Sequence, residues 1–147
     1  DKRTGGKRLI QHPSKELKLL QRRVTREIIL SLPVHEAVYS YRENIGISKL
    51  CDRHLKDNYL LRVDFKDFFP SIKGKDVANL IKNNLECIGR DLSRDDIRDI
   101  RLIVSRNDKL TIGAPSSPAI SYFIWSNACL ASGTTFLFLL AIIFHLL

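Results

Sequence analysis

Apolar residues recur at helical spacing in the first quarter of the chain. Between residues 13 and 33 they lie three or four positions apart, which places them on one face of a predicted helix. These positions are Leu17, Leu20, Val24, Ile28 and Leu32. Ser14 is a suitable N-cap for this helix, and Pro33 is expected to end it.

Further helices are predicted along the chain. A short one is expected at about residues 48–54, and residues 74–88 are amphipathic again. Ser93 and Asp96 have the spacing of a capping box, which predicts a helix after them. Asn107 and Asp108 indicate a turn. A short strand at 109–112 should then lead through a Gly/Pro loop into a last helix, with Pro118 in its first turn.

The stretch NYLLRVDFKDFFPSI, residues 58–72, has the short apolar run of a core strand. Asp64 interrupts this run and leaves two interpretations open. In the first, a buried strand simply runs out into a turn. In the second, Asp64 is a metal-binding carboxylate at the end of the strand.

The chain loses its charges toward the end. No Asp or Glu follows Asp108 and no Lys or Arg follows Lys109. The final TTFLFLLAIIFHLL is shorter than the ~20 apolar residues of an ordinary membrane span. Three interpretations of this segment remain open. It is a buried core helix, a membrane-inserted segment, or an aberrant tail that is read out of frame or joined by a rearrangement. We do not expect a membrane partner.

Basic residues dominate, with a net charge of +8 over 147 residues. Residues 1–30 hold nine Lys and Arg against three Asp and Glu. Such a surface can serve solubility alone or bind a polyanion. Near the N-terminus, Gly5 and Gly6 would let a flexible basic loop approach phosphates closely.

Cysteine and histidine suggest no metal or disulfide site. The three cysteines, Cys51, Cys87 and Cys129, lie far apart and match no zinc spacing or disulfide scheme. The four histidines have no metal-ligand spacing either, and we interpret them as structural or surface residues. A reducing cytoplasm fits this composition best, and no signal peptide is evident.

Several segments agree in order and spacing with one family. They read GGKRLIQHPSKELKLLQRRV, then HEAVYSYRENIGISKLCDRHLKDNYLLRVDFKDFFPSI, then LTIGAPSSPAIS. Over about residues 3–121 they resemble the fingers and the first part of the palm of a bacterial reverse transcriptase, of the retron and related defence-associated kind. The resemblance implies an α+β fold, with fingers and partial palm of a right-hand polymerase in residues 1–121. An apolar tail, helical or irregular, would follow in residues 122–147.

In function, the resemblance implies an RNA-directed DNA polymerase, a nucleotidyltransferase that adds dNTPs to a primer on an RNA template. Catalysis in this family uses two Mg²⁺ ions. Template, primer and dNTPs would be the partners, with a structured non-coding RNA as a further candidate. A cytoplasmic role in antiviral defence would follow.

The resemblance also assigns site residues. Asp64 would be the first metal-binding carboxylate, and the backbone carbonyl of Phe65 would add a ligand for Mg²⁺. Phe69, five residues after Asp64, matches the steric gate that fills the space of a ribose 2′-hydroxyl and so favours deoxynucleotides.

Other positions match nucleotide-binding residues of the family. Arg8 matches the fingers arginine that grips the triphosphate, and Lys2 matches a fingers lysine. Gly113 and Ala114 belong to the loop that packs under the incoming nucleotide and its template base. The arginines of the first helix are expected to bind nucleic acid: Arg22, Arg23 and Arg26.

One family motif has no counterpart. Relatives carry Tyr-X-Asp-Asp past the Gly-Ala-Pro loop, and near residues 140–147 this chain reads LAIIFHLL. One aspartate cannot hold two Mg²⁺ ions for phosphoryl transfer. We therefore expect that this chain does not polymerise DNA by itself, and that it is a truncated or frame-disrupted reverse transcriptase or part of a longer or split one. The alternative is a non-catalytic RNA-binding module.

Overall fold

The computed structural model describes residues 10–35, 38, 46–56 and 67–132, and these residues are mostly helical. The helices are α1 (Lys15–Glu27), α2 (Ile47–His54), α3 (Phe68–Ser71), α4 (Gly74–Lys82), α5 (Leu85–Ile88), α6 (Arg94–Val104) and α7 (Ser117–Ser132). The described residues form two isolated β-bridges and no strand. The strand expected before Asp64 lies outside these residues. The one expected at 109–112 is limited to bridges made by Lys109.

Helix α1 begins as predicted and ends earlier than predicted. The Ser14 Oγ accepts a hydrogen bond from the Leu17 backbone N–H at 3.2 Å, which caps the first turn. The α-helix ends at Glu27, and a 3-10 turn (Ile29–Ser31) follows it. Pro33 therefore comes after the 3-10 turn and does not itself end the α-helix.

The buried face of α1 differs in part from the predicted one. Val24 and Ile28 are buried as expected, but Leu20 is 47% exposed while Gln21 is only 3% exposed. The Gln21 Nε2 donates to the Ile103 carbonyl oxygen at 2.9 Å. That carbonyl belongs to the last turn of α6, which has no intrahelical donor for it. Gln21 is thus buried because its amide binds the end of another helix.

Helix α6 begins with the predicted capping box. The Ser93 Oγ accepts from the Asp96 N–H at 3.1 Å, and the Asp96 carboxylate accepts from the Ser93 N–H at 2.9 Å. After α6 the chain reverses through Asn107 and Asp108, which both have positive φ (51° and 57°). Asparagine and aspartate tolerate this conformation better than most residues, so the predicted turn is confirmed.

The core lies between four helices: α4 packs against α6 and α7, and α1 packs against α6. Its fully enclosed aliphatic side chains come from α4, α6, α7, the 3-10 turn after α1 and the segment before the Gly/Pro loop, namely Ile29, Val77, Ile81, Val104, Leu110 and Ile120. Burying each such side chain contributes roughly 1.5–3 kcal/mol. This core fixes the ends of α1, α6 and α7 relative to one another.

Helix α7 has Pro118 as its second residue, as predicted. It continues without a break across residues 121 and 122, where the apolar tail was expected to start. Tyr122 and Phe123 are buried in the core and contact each other edge to face. Residues 133–147 lie outside the described part of the chain.

Candidate functional site

The end of the DFKDFFPSI segment and the start of the LTIGAPSSPAIS segment meet at a short antiparallel junction. The Ile72 carbonyl oxygen accepts a hydrogen bond from the Leu110 N–H at 3.0 Å. Lys73 and Lys109 form an antiparallel bridge directly beside it. The chain leaving the first motif therefore runs alongside the chain entering the second, although 37 positions separate Ile72 from Lys109 in the sequence.

Phe69 follows a turn at Asp67, which is exposed and has a φ of 50°. The ring of Phe69 is 6% exposed and belongs to the hydrophobic core, with its centroid 5.7 Å from that of Phe68. Phe68 is the more exposed of the two. The predicted gate residue is thus a core side chain close to the junction.

Gly113 lies at the exposed tip of the Gly/Pro loop, with a φ of 101°. The segment Ile10–Gln11 crosses it: the Gln11 N–H donates to the Ile112 carbonyl oxygen at 2.8 Å. A Cβ atom on Gly113 would lie 2.9 Å from the Gln11 carbonyl oxygen. The N-terminal segment of the same chain therefore lies directly against the backbone at Gly113.

Ala114 and Ser116 of the loop are buried, and Pro115 is partly buried. Ala114 is 4% exposed, so its methyl group faces the core. The Ser117 Oγ donates to the Thr111 carbonyl oxygen at 2.8 Å and closes the loop at the start of α7. The buried Ser116 Oγ and Gln11 Oε1 have no hydrogen-bond partner. Both polar atoms flank the loop that carries Gly113.

The α1 arginines Arg22, Arg23 and Arg26 are all exposed, as a nucleic-acid-binding surface requires. Arg23 and Arg26 pair with Glu27 at 3.1 and 3.4 Å. Arg90, which follows α5, pairs with the second oxygen of Glu27 at 3.0 Å. Sequence reasoning missed Arg90, because it lies 63 positions away and no local pattern connects it to α1.

Glu27 has a lowered pKa despite its partial burial. Burial raises the pKa of this carboxyl, but the hydrogen bond from Arg90 and the charge and hydrogen bonds of Arg23 and Arg26 together outweigh it. Glu27 is therefore ionised at neutral pH and holds three guanidinium groups around one carboxylate.

Four of the predicted site residues cannot be located relative to this geometry. Lys2, Arg8, Asp64 and Phe65 lie outside the described residues. Within residues 10–35, 38, 46–56 and 67–132, no three His, Cys, Asp or Glu side chains come together as a metal site. Among the helices of that same part of the chain, none is long and apolar enough to cross a membrane.

Comparison with known proteins finds several retron reverse transcriptases that are similar to this chain. It is 34% identical over 128 residues to the retron Ec73 reverse transcriptase of Escherichia coli, covering 84% of this chain and 40% of that protein. It is 32% identical to the retron Mx162 reverse transcriptase of Myxococcus xanthus, covering 82% of this chain and 27% of the relative. The retron Ec86 reverse transcriptase of Escherichia coli is 30% identical over 120 residues.

The chain spans less than half the length of these relatives. No protein-family profile matches it. The matches nevertheless agree with one another and cover most of the chain, and they imply a polymerase fold for it. The chain is therefore identified as a relative of the retron reverse transcriptases, over most of its own length and less than half of theirs.

Proposed function

We propose that the chain supplies the nucleotide-binding surface and the first metal-binding carboxylate of an RNA-directed DNA polymerase. In that enzyme, dNTPs are added to a primer on an RNA template. The chain by itself does not polymerise DNA, because it carries Asp64 without the Tyr-X-Asp-Asp motif. Retron RNA, a structured non-coding RNA, would be its template, and the cytoplasm its location.

The junction between Ile72 and Leu110 is the observation that carries this proposal. It joins the two segments to which the resemblance assigns catalytic and nucleotide-binding residues. Asp64 lies eight positions before Ile72, and Gly113 lies three positions after Leu110. This adjacency is what a site that combines residues of both segments requires.

Asp64 and the carbonyl of Phe65 are chemically suited to Mg²⁺, which prefers hard oxygen ligands. When bound, Mg²⁺ would supply charge neutralisation on the triphosphate and activation of the primer hydroxyl. Asp64 would hold the Mg²⁺ ion at the end of its strand. We propose that the strand ending at Asp64 forms the α+β palm together with the described helices.

Arg8 and Lys2 would bind the triphosphate. Arg8 lies three positions before Gln11, so the chain confines its Cα to within ~11 Å of the Gln11 Cα. Gln11 itself crosses the loop at Gly113. An arginine side chain on that tether can reach a phosphate near the loop and bind it with two parallel hydrogen bonds.

The test is a chimaera of the retron Ec73 reverse transcriptase in which residues 1–121 of this chain replace the matching segment. We expect Mg²⁺-dependent primer extension on an RNA template, and its loss in Asp64→Asn. The matched control is Asp95→Asn, which removes an exposed carboxylate on α6 and should leave extension unchanged. The unmodified 147-residue chain should give no product.

Two results would contradict the proposal. One is a chimaera that folds, as judged by a cooperative thermal transition, but does not extend the primer. The other is a chimaera in which Asp64→Asn extends as well as the parent. Extension by the 147-residue chain alone would instead overturn the expectation that the Tyr-X-Asp-Asp motif is needed.

A further inference from the structure

Three arginines from two separate parts of the chain surround one carboxylate on the protein surface. Arg23 and Arg26 come from α1, and Arg90 comes from the segment between α5 and α6. Their guanidinium nitrogens lie 3.1, 3.4 and 3.0 Å from the oxygens of Glu27. We call this set the Glu27 cluster.

The Glu27 cluster has an excess of positive charge. Three cations share a single anion, so the cluster itself carries two more positive charges than negative ones. A second surface cluster has the opposite balance: Arg98 on α6 pairs with both Asp95 and Asp99. An exposed anion is therefore attracted to the Glu27 cluster and repelled by the surroundings of Arg98.

The arginines keep donors for a further ligand. Each donates to Glu27 through one nitrogen: Nε of Arg23, Nη2 of Arg26 and Nη1 of Arg90. A guanidinium has five N–H donors in a planar fork, which matches the oxygens of a phosphate. More than half of each arginine side chain is exposed, between 54% and 75%.

The fold holds the cluster in place. Glu27 ends α1, which is anchored in the core by Val24. Gly89 has a φ of 64° and ends α5, and this turn leads directly into Arg90. Because both backbones are fixed and Glu27 orients the side chains, less entropy is lost when a ligand binds.

We propose that Arg23, Arg26 and Arg90 form a binding surface for the phosphates of an RNA backbone. The choice of RNA rests on the proposed function, while the preference for phosphate rests on the charge and donors described above. Arg22 lies one turn before Arg26 on the exposed side of α1 and extends the positive surface along the helix. The surface crosses from α1 to Arg90, so it is not a property of α1 alone.

The test measures binding of a labelled single-stranded RNA oligonucleotide to the full 147-residue chain at several salt concentrations. We expect Arg90→Ala to weaken binding about three- to tenfold at low salt. It should also reduce the slope of log K against log salt by ~0.7, the loss of one phosphate contact on a single strand. Arg90→Lys keeps the charge and should retain most of the slope.

Arg98→Ala is the matched control, because it removes the same formal charge from a similarly exposed arginine. We expect it to leave RNA affinity and slope unchanged. Equal losses in Arg90→Ala and Arg98→Ala would overturn the proposal, since net charge alone would then explain binding. The proposal would also be overturned if Arg90→Ala, Arg23→Ala and Arg26→Ala all left the RNA affinity unchanged.

A second probe, polyaspartate, separates phosphate from carboxylate recognition. We expect Arg90→Ala to affect RNA more than polyaspartate, and the reverse order would assign the surface to an acidic peptide and overturn the proposal. The binding assay needs no polymerisation. If the chimaera does not extend the primer but RNA binding still depends on Arg90, the proposed polymerase function is contradicted and the RNA-binding surface is supported.

Discussion

The carbonyl oxygen of Gln11 lies so close to Gly113 that a Cβ atom on that glycine would be 2.9 Å away from it. The neighbouring hydrogen bond, from the Gln11 N–H to the Ile112 carbonyl oxygen, holds the two backbones together at 2.8 Å. Gly113 also has a φ of 101°, which favours glycine. Two independent constraints, one steric and one conformational, thus require glycine at this position.

Gly113→Ala should destabilise the fold by about 2–4 kcal/mol. The strained φ accounts for about 1–3 kcal/mol of this, and the contact with backbone, which cannot move aside as a side chain can, accounts for the rest. Urea denaturation followed by circular dichroism measures the change.

Gly89→Ala is the control for Gly113→Ala. Gly89 has a φ of 64°, but a Cβ atom there would meet nothing within 4 Å. We expect a cost of only about 1–2 kcal/mol, from the left-handed conformation alone. Equal losses in the free energy of unfolding for Gly113→Ala and Gly89→Ala would show that the Gln11 contact is not rigid.

The orientation of α1 can be tested by exchanging the properties of two adjacent residues. Leu20→Gln should cost less than about 0.5 kcal/mol, because Leu20 is largely exposed. Gln21→Leu should cost about 1–3 kcal/mol, because it leaves the partly buried Ile103 carbonyl without its donor. The apolar pattern of the sequence predicts the opposite order, so chemical denaturation of the two variants distinguishes the two orientations.

Stability should depend on pH through Glu27. The pKa of this carboxyl is lowered in the folded state, so the folded protein binds its proton less readily than the unfolded chain does. The stabilisation is therefore fully present above the ordinary glutamate pKa and is lost as the pH falls through the lowered folded value. Urea midpoints measured from pH ~6 to pH ~3 should fall on acidification.

Glu27→Gln should make that pH dependence shallower, since glutamine does not titrate. Asp96 also has a lowered pKa, caused first by the Ser93 side chain and then by its backbone, and it retains its share of the acid sensitivity in this variant. An unchanged slope in Glu27→Gln would mean that the three arginines do not stabilise the charged carboxylate in solution.

Phe69 should be more important for stability than Phe68. Truncation of a buried phenylalanine to alanine costs about 3–5 kcal/mol, and Phe68→Ala should cost less because Phe68 is only partly buried. Thermal denaturation of the two variants checks this order.

Since Phe69→Ala endangers the fold, the steric-gate prediction is better tested with Phe69→Leu in the chimaera, where we expect more ribonucleotide incorporation. Unchanged discrimination in a folded variant would contradict that role.

Local chemistry made several features predictable. The cap at Ser14, the capping box of Ser93 and Asp96 and the turn at Asn107 and Asp108 depend on groups within three or four positions of one another. Sequence resemblance likewise identified the family, because its two main motifs are short, specific and in fixed order. Residue positions assigned by that resemblance, such as Asp64 and Arg8, remain predictions.

What the sequence determined by itself was therefore the family, the helix starts and the turns, because each depends on short-range chemistry or on a short motif. Only the tertiary structure decided that Gln21 rather than Leu20 faces the core. The Ile103 carbonyl at the end of α6, which accepts the hydrogen bond of Gln21, reaches α1 only through the packing of the two helices. The same holds for Gln11 above Gly113 and for Arg90 at Glu27. These contacts join residues 63 to 102 positions apart, and no periodicity along the chain encodes the distance between them in space.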